Sequence, residues 1–400
     1  MASESFDAIV IGAGQAGPAL AERCSKEGLR TAMIERHHFG GTCVNTGCVP
    51  TKTLVASALA MHMAQRGGEY GFDIGTFSVD MPRVKARKDR LVHESRSGVE
   101  KWMRGLDHTE VITGHARFTG PHTLEVNGRT LTAPRIFINV GARAVKPDLP
   151  GIDSVATLDN VSVMELTEVP AHLVVIGGSY IGLEFAQMYR RFGAQVTVVE
   201  RSDAVISRED AEVSKAIQDI LEAEGIRFEL GSKCISLALH AHGIAVGAQC
   251  GEATPTVVGS HVLLAVGRRP NTDDLGLDAA GVRTDDKGII EVDDQCRTNV
   301  EGIWALGDCN GRGAFTHTSY NDYEIVAANV FDNDPRRISD RIPCYALYID
   351  PPLGRMGQTE AQVRESGKPA LMATMPMQRV GRAREMSQTQ GFMKDRKSVV

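Results

Sequence analysis

The chain lacks several features that would place it at once. It has no block of basic residues: 44 Lys+Arg against 50 Asp+Glu leave a formal net charge of −6. Neither nucleic acid nor an anionic membrane surface is therefore an expected partner. It has no apolar run long enough to cross a bilayer; "HLVVIGG" and "HVLLAVG" stop far short of the roughly 20 residues required. Its start, "MASESFDAIVIGAGQ", carries neither a basic segment nor a long apolar one, which excludes a signal peptide and points to the cytoplasm. Cysteine is also sparse. Eight in 400 residues are no disulfide framework, and Cys24, Cys234, Cys250, Cys296, Cys309 and Cys344 read as scattered, separate thiols.

What is present is glycine, 41 residues of it, in a chain too long for one hydrophobic core. "FDAIVIGAGQAGPALAERCSKEGLRTAMIERH" reads as strand, glycine turn, helix and second strand. The turn is Gly12-x-Gly14-x-x-Gly17, and Glu35 closes the second strand at close to the roughly 20-residue spacing of an acid that grips a ribose hydroxyl. The arrangement recurs in "AHLVVIGGSYIGLEFAQMYRRFGAQVTVVERSD". Here Gly177, Gly178 and Gly182 form the turn, Ser179 replaces the middle glycine, and Glu200 lies as far from Gly177 as Glu35 does from Gly12. Two copies with one internal spacing predict two dinucleotide sites.

The expected fold class is α/β: two Rossmann-like dinucleotide-binding domains and a partial α+β C-terminal domain. Strand-like runs at "RIFINVGARA", with Gly141, and at "HVLLAVGRRPN", with Gly267, close the two units. Expected boundaries are 1–150, 151–268, a central 269–335 that completes the first site, and 336–400. "IWALGDCN" places Asp308 directly after a buried strand and a glycine, where a carboxylate meets a ligand at a strand's carboxyl end.

"GGTCVNTGCVPTK" holds Cys43 and Cys48 close together, and three readings compete for them. A zinc site with His37 and His38 requires adjacent histidines to face one ion, unlike the spaced pairs of structural sites. A structural disulfide closing so small a loop stabilises little and is opened in a reducing cytosol. A catalytic dithiol fits best. Cys48 opens a helical pattern with Pro50 in its first turn, so the helix dipole and Lys52 favour a thiolate. In a regular helix residues five apart rise about 7.5 Å, beyond the roughly 7 Å that a disulfide spans. The backbone between the cysteines must then be irregular, and Gly47 can supply that.

With these residues the chain resembles the class I pyridine nucleotide–disulfide oxidoreductases, the flavoprotein family of glutathione reductase, dihydrolipoamide dehydrogenase and mercuric reductase. The resemblance implies an enzyme in which Gly12, Gly14, Gly17 and Glu35 hold the ADP half of FAD. Gly41, Thr42, Lys52, Gly141 and Asp308 would complete that site, with Asp308 on the ribityl chain. Gly177, Gly178, Ser179, Gly182, Glu200, Arg201 and Gly267 would hold NAD(P)H. Cys48 would be the thiolate against the flavin and Cys43 the thiol that exchanges with substrate. Lys52 would lie by the flavin and pair with Glu184, the alternative being a surface ion pair. Tyr180 would cover the nicotinamide pocket. Hydride would pass from NAD(P)H to flavin, then to the Cys43–Cys48 disulfide, then to a disulfide or metal-ion acceptor. Glu200 favours NADH, since a carboxylate there accepts the ribose 2′-OH and repels a 2′-phosphate; Arg201 beside it pulls the other way.

Ala21-Glu22, where glutathione reductases carry an arginine, disfavours glutathione. "AFTHTSYNDYEIV" (314–326) is closer to mercuric reductases and to reductases of reactive-chlorine resistance. The family's interface domain supplies a His-Pro pair and builds a homodimer. This chain has no His-Pro pair, its last histidine is His317, and "DRKSVV" replaces an expected apolar strand. The expectation is an incomplete interface domain, a doubtful dimer and no C-terminal cysteine pair. Two alternatives stay open: an NADH oxidase or quinone reductase that bypasses the dithiol, and an inactive cofactor-binding chain.

Overall fold

The computed structural model describes residues 3–76, 78–248 and 256–398. The chain forms two units: Met1–Pro50, Lys88–Val145 and Gly267–Arg341 make the first, and Thr51–Arg87, Lys146–Val266 and Ile342–Val400 the second.

In the first unit a five-stranded parallel sheet runs in the order Ile303–Ala305, Ile136–Ile138, Ala8–Ile11, Thr31–Glu35, Thr109–Thr113. Its central strands are buried along their whole length, as parallel strands covered on both faces must be. Successive residues serve opposite faces: Ile9 and Ile11 pack into one apolar cluster, Ala8 and Val10 into another. Helix Gly17–Lys26 follows the first strand, and an antiparallel excursion (Arg117–Gly120, Thr123–Val126, Arg129–Thr132) precedes the closing strand.

The second unit repeats this plan. Its parallel sheet runs His261–Leu264, His172–Ile176, Gln195–Val199, Arg227–Glu229. Helix Tyr180–Phe192 follows the first strand, and the antiparallel strands Ser236–His240, Gly243–Gly247 and Thr256–Gly259 precede the closing one. The duplication therefore extends past the two βαβ turns to whole units, a likeness the sequence hides because the antiparallel excursions share no motif.

Two expectations need correction here. Cys234 is disulfide-bonded rather than a separate thiol, while Cys24, Cys296, Cys309 and Cys344 are thiols. Cys250 lies outside the described residues. Spacing along the chain is no guide in an antiparallel meander, which sets Ser236 opposite Gly247. Further on, the charged "DRKS" does not break the last strand: Phe392–Ser398 pairs along its length with Ala370–Pro376. Main-chain hydrogen bonds carry that hairpin; Ala370–Pro376 is largely exposed, and the partly covered Lys394 is held by carboxylates rather than by apolar packing. Lys394 of this strand sits among three carboxylates, 3.2 Å from Asp210 and 2.7 Å from Glu360, with Glu212 also in contact. Asp210, Glu212 and Glu360 are the grouping among the described residues that could hold a metal ion, and the lysine supplies the positive charge there. Among the described residues no helix is long and apolar enough to cross a membrane.

Candidate active site

Both glycine turns are dictated by close backbone approach. Gly12 has φ +100°, and a Cβ there would lie 2.4 Å from the Asn139 carbonyl oxygen. Gly177 has φ +113°, and its Cβ would lie 2.4 Å from the Ala265 carbonyl oxygen. Asn139 and Ala265 thus occupy equivalent places, and they explain why the middle glycine is kept in one copy only. Asn139 Oδ1 lies 2.8 Å from where a Cβ of Gly14 would be, so nothing larger fits. Alanine at 265 has no such amide, which leaves room for the Ser179 side chain.

The acid at the second strand's end is held alike in both units. Glu35 accepts hydrogen bonds from Ala13 N–H and His37 N–H, each at 2.8 Å. Glu200 accepts from Gly178 N–H at 2.6 Å and Ser202 N–H at 2.8 Å. Each carboxylate is fixed beside its glycine turn with acceptor capacity to spare, the geometry a ribose diol requires. Arg201 is exposed.

Residues unremarked in the sequence complete the first turn. Asn139 Oδ1 accepts the Gly17 N–H at 3.0 Å, and its Nδ2 donates to the Leu306 carbonyl at 2.9 Å. Arg268 lies 3.3 Å from Thr42 Oγ1 and 3.4 Å from the Asp308 carboxylate, and its buried Nε has no partner. Burial pushes the Asp308 carboxyl above its ordinary range, opposed by Arg268. Asp322, 1% exposed, accepts from Gly307 N–H at 2.8 Å and Asn310 Nδ2 at 2.9 Å, and pairs with Arg341. It thereby fixes the loop that presents Asp308. Signals for these residues were weak, because each meets its partner from a distant stretch of chain.

Cys43 lies in helix Gly41–Asn45, and Cys48 is the first residue of helix Cys48–Gln65. The irregular backbone between them is the break at Thr46, φ −141° and ψ 16°. Gly47 does not supply it through a positive φ, as expected above; glycine is needed because a Cβ would lie 2.9 Å from the Thr42 carbonyl oxygen. Both sulfurs are thiols in this structure and half-buried. A hydrogen bond to Cys48 and then burial push the Cys43 thiol well above the ordinary range. Cys24 and Cys309, pushed up to about 12 by burial, are chemically quiet by contrast.

In the second unit Lys52 Nζ lies 2.7 Å from Glu184 Oε2. Glu184 is 6% exposed and the Lys52 side chain 35%, so the pair is half-buried, its carboxylate covered and its ammonium reaching toward solvent. Its other oxygen accepts the Tyr348 N–H at 3.0 Å, and Lys52 Nζ sits 4.4 Å from the Tyr348 ring centroid. Tyr180 packs edge-on against Tyr345 at 5.2 Å, and burial pushes its hydroxyl up to about 12. Farther along the same helix, Gln187 exchanges hydrogen bonds with the Asp350 backbone, and Arg191 pairs with Glu224 at 2.7 Å and Asp350 at 2.8 Å. Residues 180, 184, 187 and 191 follow helical spacing and make one fastened stripe.

Comparison with known proteins identifies the family. The model of the pyridine nucleotide-disulphide oxidoreductase family matches residues 6–322. The chain belongs to the pyridine nucleotide–disulfide oxidoreductases. It is 35% identical over 398 residues to the probable pyridine nucleotide-disulfide oxidoreductase RclA of Escherichia coli K12, covering 97% of this chain and 85% of that one. It is 32% identical over 391 residues to a mercuric reductase of Staphylococcus aureus, covering 97% and 71%. A solved structure titled HOCl-induced flavoprotein disulfide reductase RclA from Escherichia coli superposes with TM-score 0.88 at 34% identity, covering 98% of this chain and 87% of that one.

This pyridine nucleotide–disulfide oxidoreductase is an FAD- and NAD(P)H-dependent enzyme, and its residues fit FAD. The crowded turn at Gly12 would receive a pyrophosphate at the helix N-terminus, Glu35 would accept from a ribose, and the unpartnered Arg268 Nε is a buried donor suited to an anionic ligand. Asn139→Ala is expected to strand the Gly17 N–H and the Leu306 carbonyl, at about 2 kcal/mol. FAD should then bind roughly tenfold more weakly or worse, measured as flavin released on dilution; undiminished retention would exclude this role for Asn139.

Proposed function

We propose that this oxidoreductase passes electrons from NADH, through FAD, to the Cys43–Cys48 pair and on to a small-molecule disulfide or a thiophilic metal ion. The observation that carries the reading is the hydrogen-bonded, half-buried pair of thiols, with Cys48 opening a long helix and Cys43 on the short helix before it. When bound, FAD supplies the hydride acceptor that couples a two-electron nicotinamide donor to disulfide chemistry.

In the reduced enzyme the helix N-terminus favours a thiolate on Cys48. Cys43 attacks the acceptor disulfide and one S–S bond breaks. Cys48 then attacks Cys43 of the mixed disulfide, forming the internal S–S bond and releasing the second thiol. Two electrons leave the dithiol and two reach the acceptor. A metal ion would instead be bound by the two thiolates, and the two electrons released as they join in a disulfide would reduce one ion by two electrons or two ions by one electron each. Metal-ion acceptors are supported by the mercuric reductase relatives and by a solved structure titled as a Cu(II) complex of RclA. Lys52, held by Glu184, supplies a fixed positive charge, and Tyr180 covers the nicotinamide pocket. Glu200, with both oxygens aligned by backbone N–H groups, favours NADH over NADPH.

Anaerobic titration with NADH, and separately with NADPH, tests this. Two electrons per flavin should produce a long-wavelength thiolate–flavin absorbance, at lower concentrations of NADH than of NADPH. Bleaching of the flavin without that absorbance would remove the dithiol from the circuit.

A further inference from the structure

We propose that Thr316 is a further catalytic residue, whose hydroxyl donates a hydrogen bond to the Cys48 thiolate and holds the dithiol's first negative charge on that sulfur. The inference rests on the reading of Cys43 and Cys48 as the working dithiol. Thr316 Oγ1 lies 3.1 Å from Cys48 Sγ, across 268 residues of sequence. Between a thiol and a hydroxyl either group can donate. A thiolate only accepts, so once Cys48 ionises the hydroxyl must be the donor.

The hydroxyl is well placed for this. Thr316 is the first residue of helix Thr316–Phe331, and the turn before it is tied down by Thr318, whose Oγ1 donates to the Phe315 carbonyl at 2.7 Å and accepts the Phe315 N–H at 3.1 Å. β-Branching limits the χ1 choices of a threonine, so little freedom is lost in aiming the hydroxyl. The same hydroxyl lies near enough to Cys43 to favour its ionised form too, so it can follow the charge when exchange moves it to that sulfur.

The titratable group facing Cys48 from the preceding short helix is Cys43, whose thiol is held well above its ordinary range. From the helix of Thr316 the nearest titratable neighbour in sequence is His317, its ring stacked on Phe315 at 5.5 Å. On the helix of Cys48 itself the charged neighbour is Lys52, and the first proton leaves Cys48 because that sulfur sits at the helix N-terminus, 3.1 Å from the Thr316 hydroxyl.

Purified flavoprotein carrying Cys43→Ser, so that Cys48 alone is read at this site, is the parent for the test. Alkylation of Cys48 by iodoacetamide is followed against pH by peptide mass spectrometry, with the long-wavelength absorbance recorded in parallel. Adding Thr316→Val, which keeps the shape and removes the hydroxyl, is expected to raise both midpoints by about one to two pH units. Adding Thr316→Ser is expected to bring them back to the parent value. Unmoved midpoints in the valine variant overturn the proposal. So does a serine variant shifted as far as the valine one, since that would mean methyl packing, not the hydroxyl, sets the thiolate. If the parent itself shows neither pH-dependent Cys48 reactivity nor the absorbance, the dithiol reading fails and takes this inference with it. That outcome is distinct because it is visible before Thr316 is changed.

Discussion

Cys48→Ser should abolish the long-wavelength absorbance on reduction and lower turnover with disulfide or metal-ion acceptors by at least about 10³-fold, as expected when one member of a catalytic unit is lost. An alcohol at the helix N-terminus stays protonated at neutral pH and cannot close an S–S bond with Cys43. Flavin reduction by NADH should survive, because the glycine turns and their acids are untouched. Cys43→Ser should behave differently. It removes the exchanging thiol but leaves Cys48 unable to be oxidised by its partner, so a thiolate absorbance should persist in the resting enzyme without turnover. Paired visible spectra and acceptor assays of the two variants separate the roles. Full turnover in Cys48→Ser would favour an NADH oxidase or quinone reductase that bypasses the dithiol.

Arg191→Leu should produce the largest loss of stability. The guanidinium side chain is 4% exposed and binds Glu224 through Nε at 2.9 Å and Nη2 at 2.7 Å, and Asp350 at 2.8 Å. Removing it leaves two carboxylates facing one another in a half-buried site without their cation, at about 3 kcal/mol. That is roughly 6–12 °C in the melting temperature of a unit this size. Arg191→Lys should recover only part, since an ammonium cannot bridge both partners with a planar fork. Calorimetry on the holoenzyme is the measurement, and a transition moved by less than a degree in the leucine variant would refute the ledger of charges at this site.

The features legible in the sequence share one property: they are local. Gly12 to Glu35 and Gly177 to Glu200 are contiguous stretches whose spacing encodes strand, turn, helix and strand. The cysteine pair announces itself within a few residues. Asn139, Arg268, Thr316 and Asp322 were not legible because their partners are far along the chain, and a lone asparagine, arginine, threonine or aspartate has no signature by itself. The disulfide at Cys234 was missed because a single scattered cysteine has no local signature. The last strand was misjudged because apolar alternation was demanded of a hairpin held by main-chain hydrogen bonds and, at Lys394, by carboxylates. Ser179 shows the limit most sharply: it read as a tolerated departure from the motif, yet the explanation sits in Ala265, on the strand that closes the unit.

The stripe along helix Tyr180–Phe192 bears on how the proposed nicotinamide pocket would open. Glu184, Gln187 and Arg191 fasten three successive stretches of that helix to Lys52, Tyr348, Glu224 and Asp350. A helix so held cannot slide or tilt without breaking several ion pairs together. On the role proposed for it, Tyr180 would uncover the pocket by a swing of its own ring about χ1, away from Tyr345, rather than by the microsecond-to-millisecond displacement of a whole element. Cofactor entry is therefore expected to be limited by diffusion and binding, with no separate slow opening phase in rapid-mixing traces.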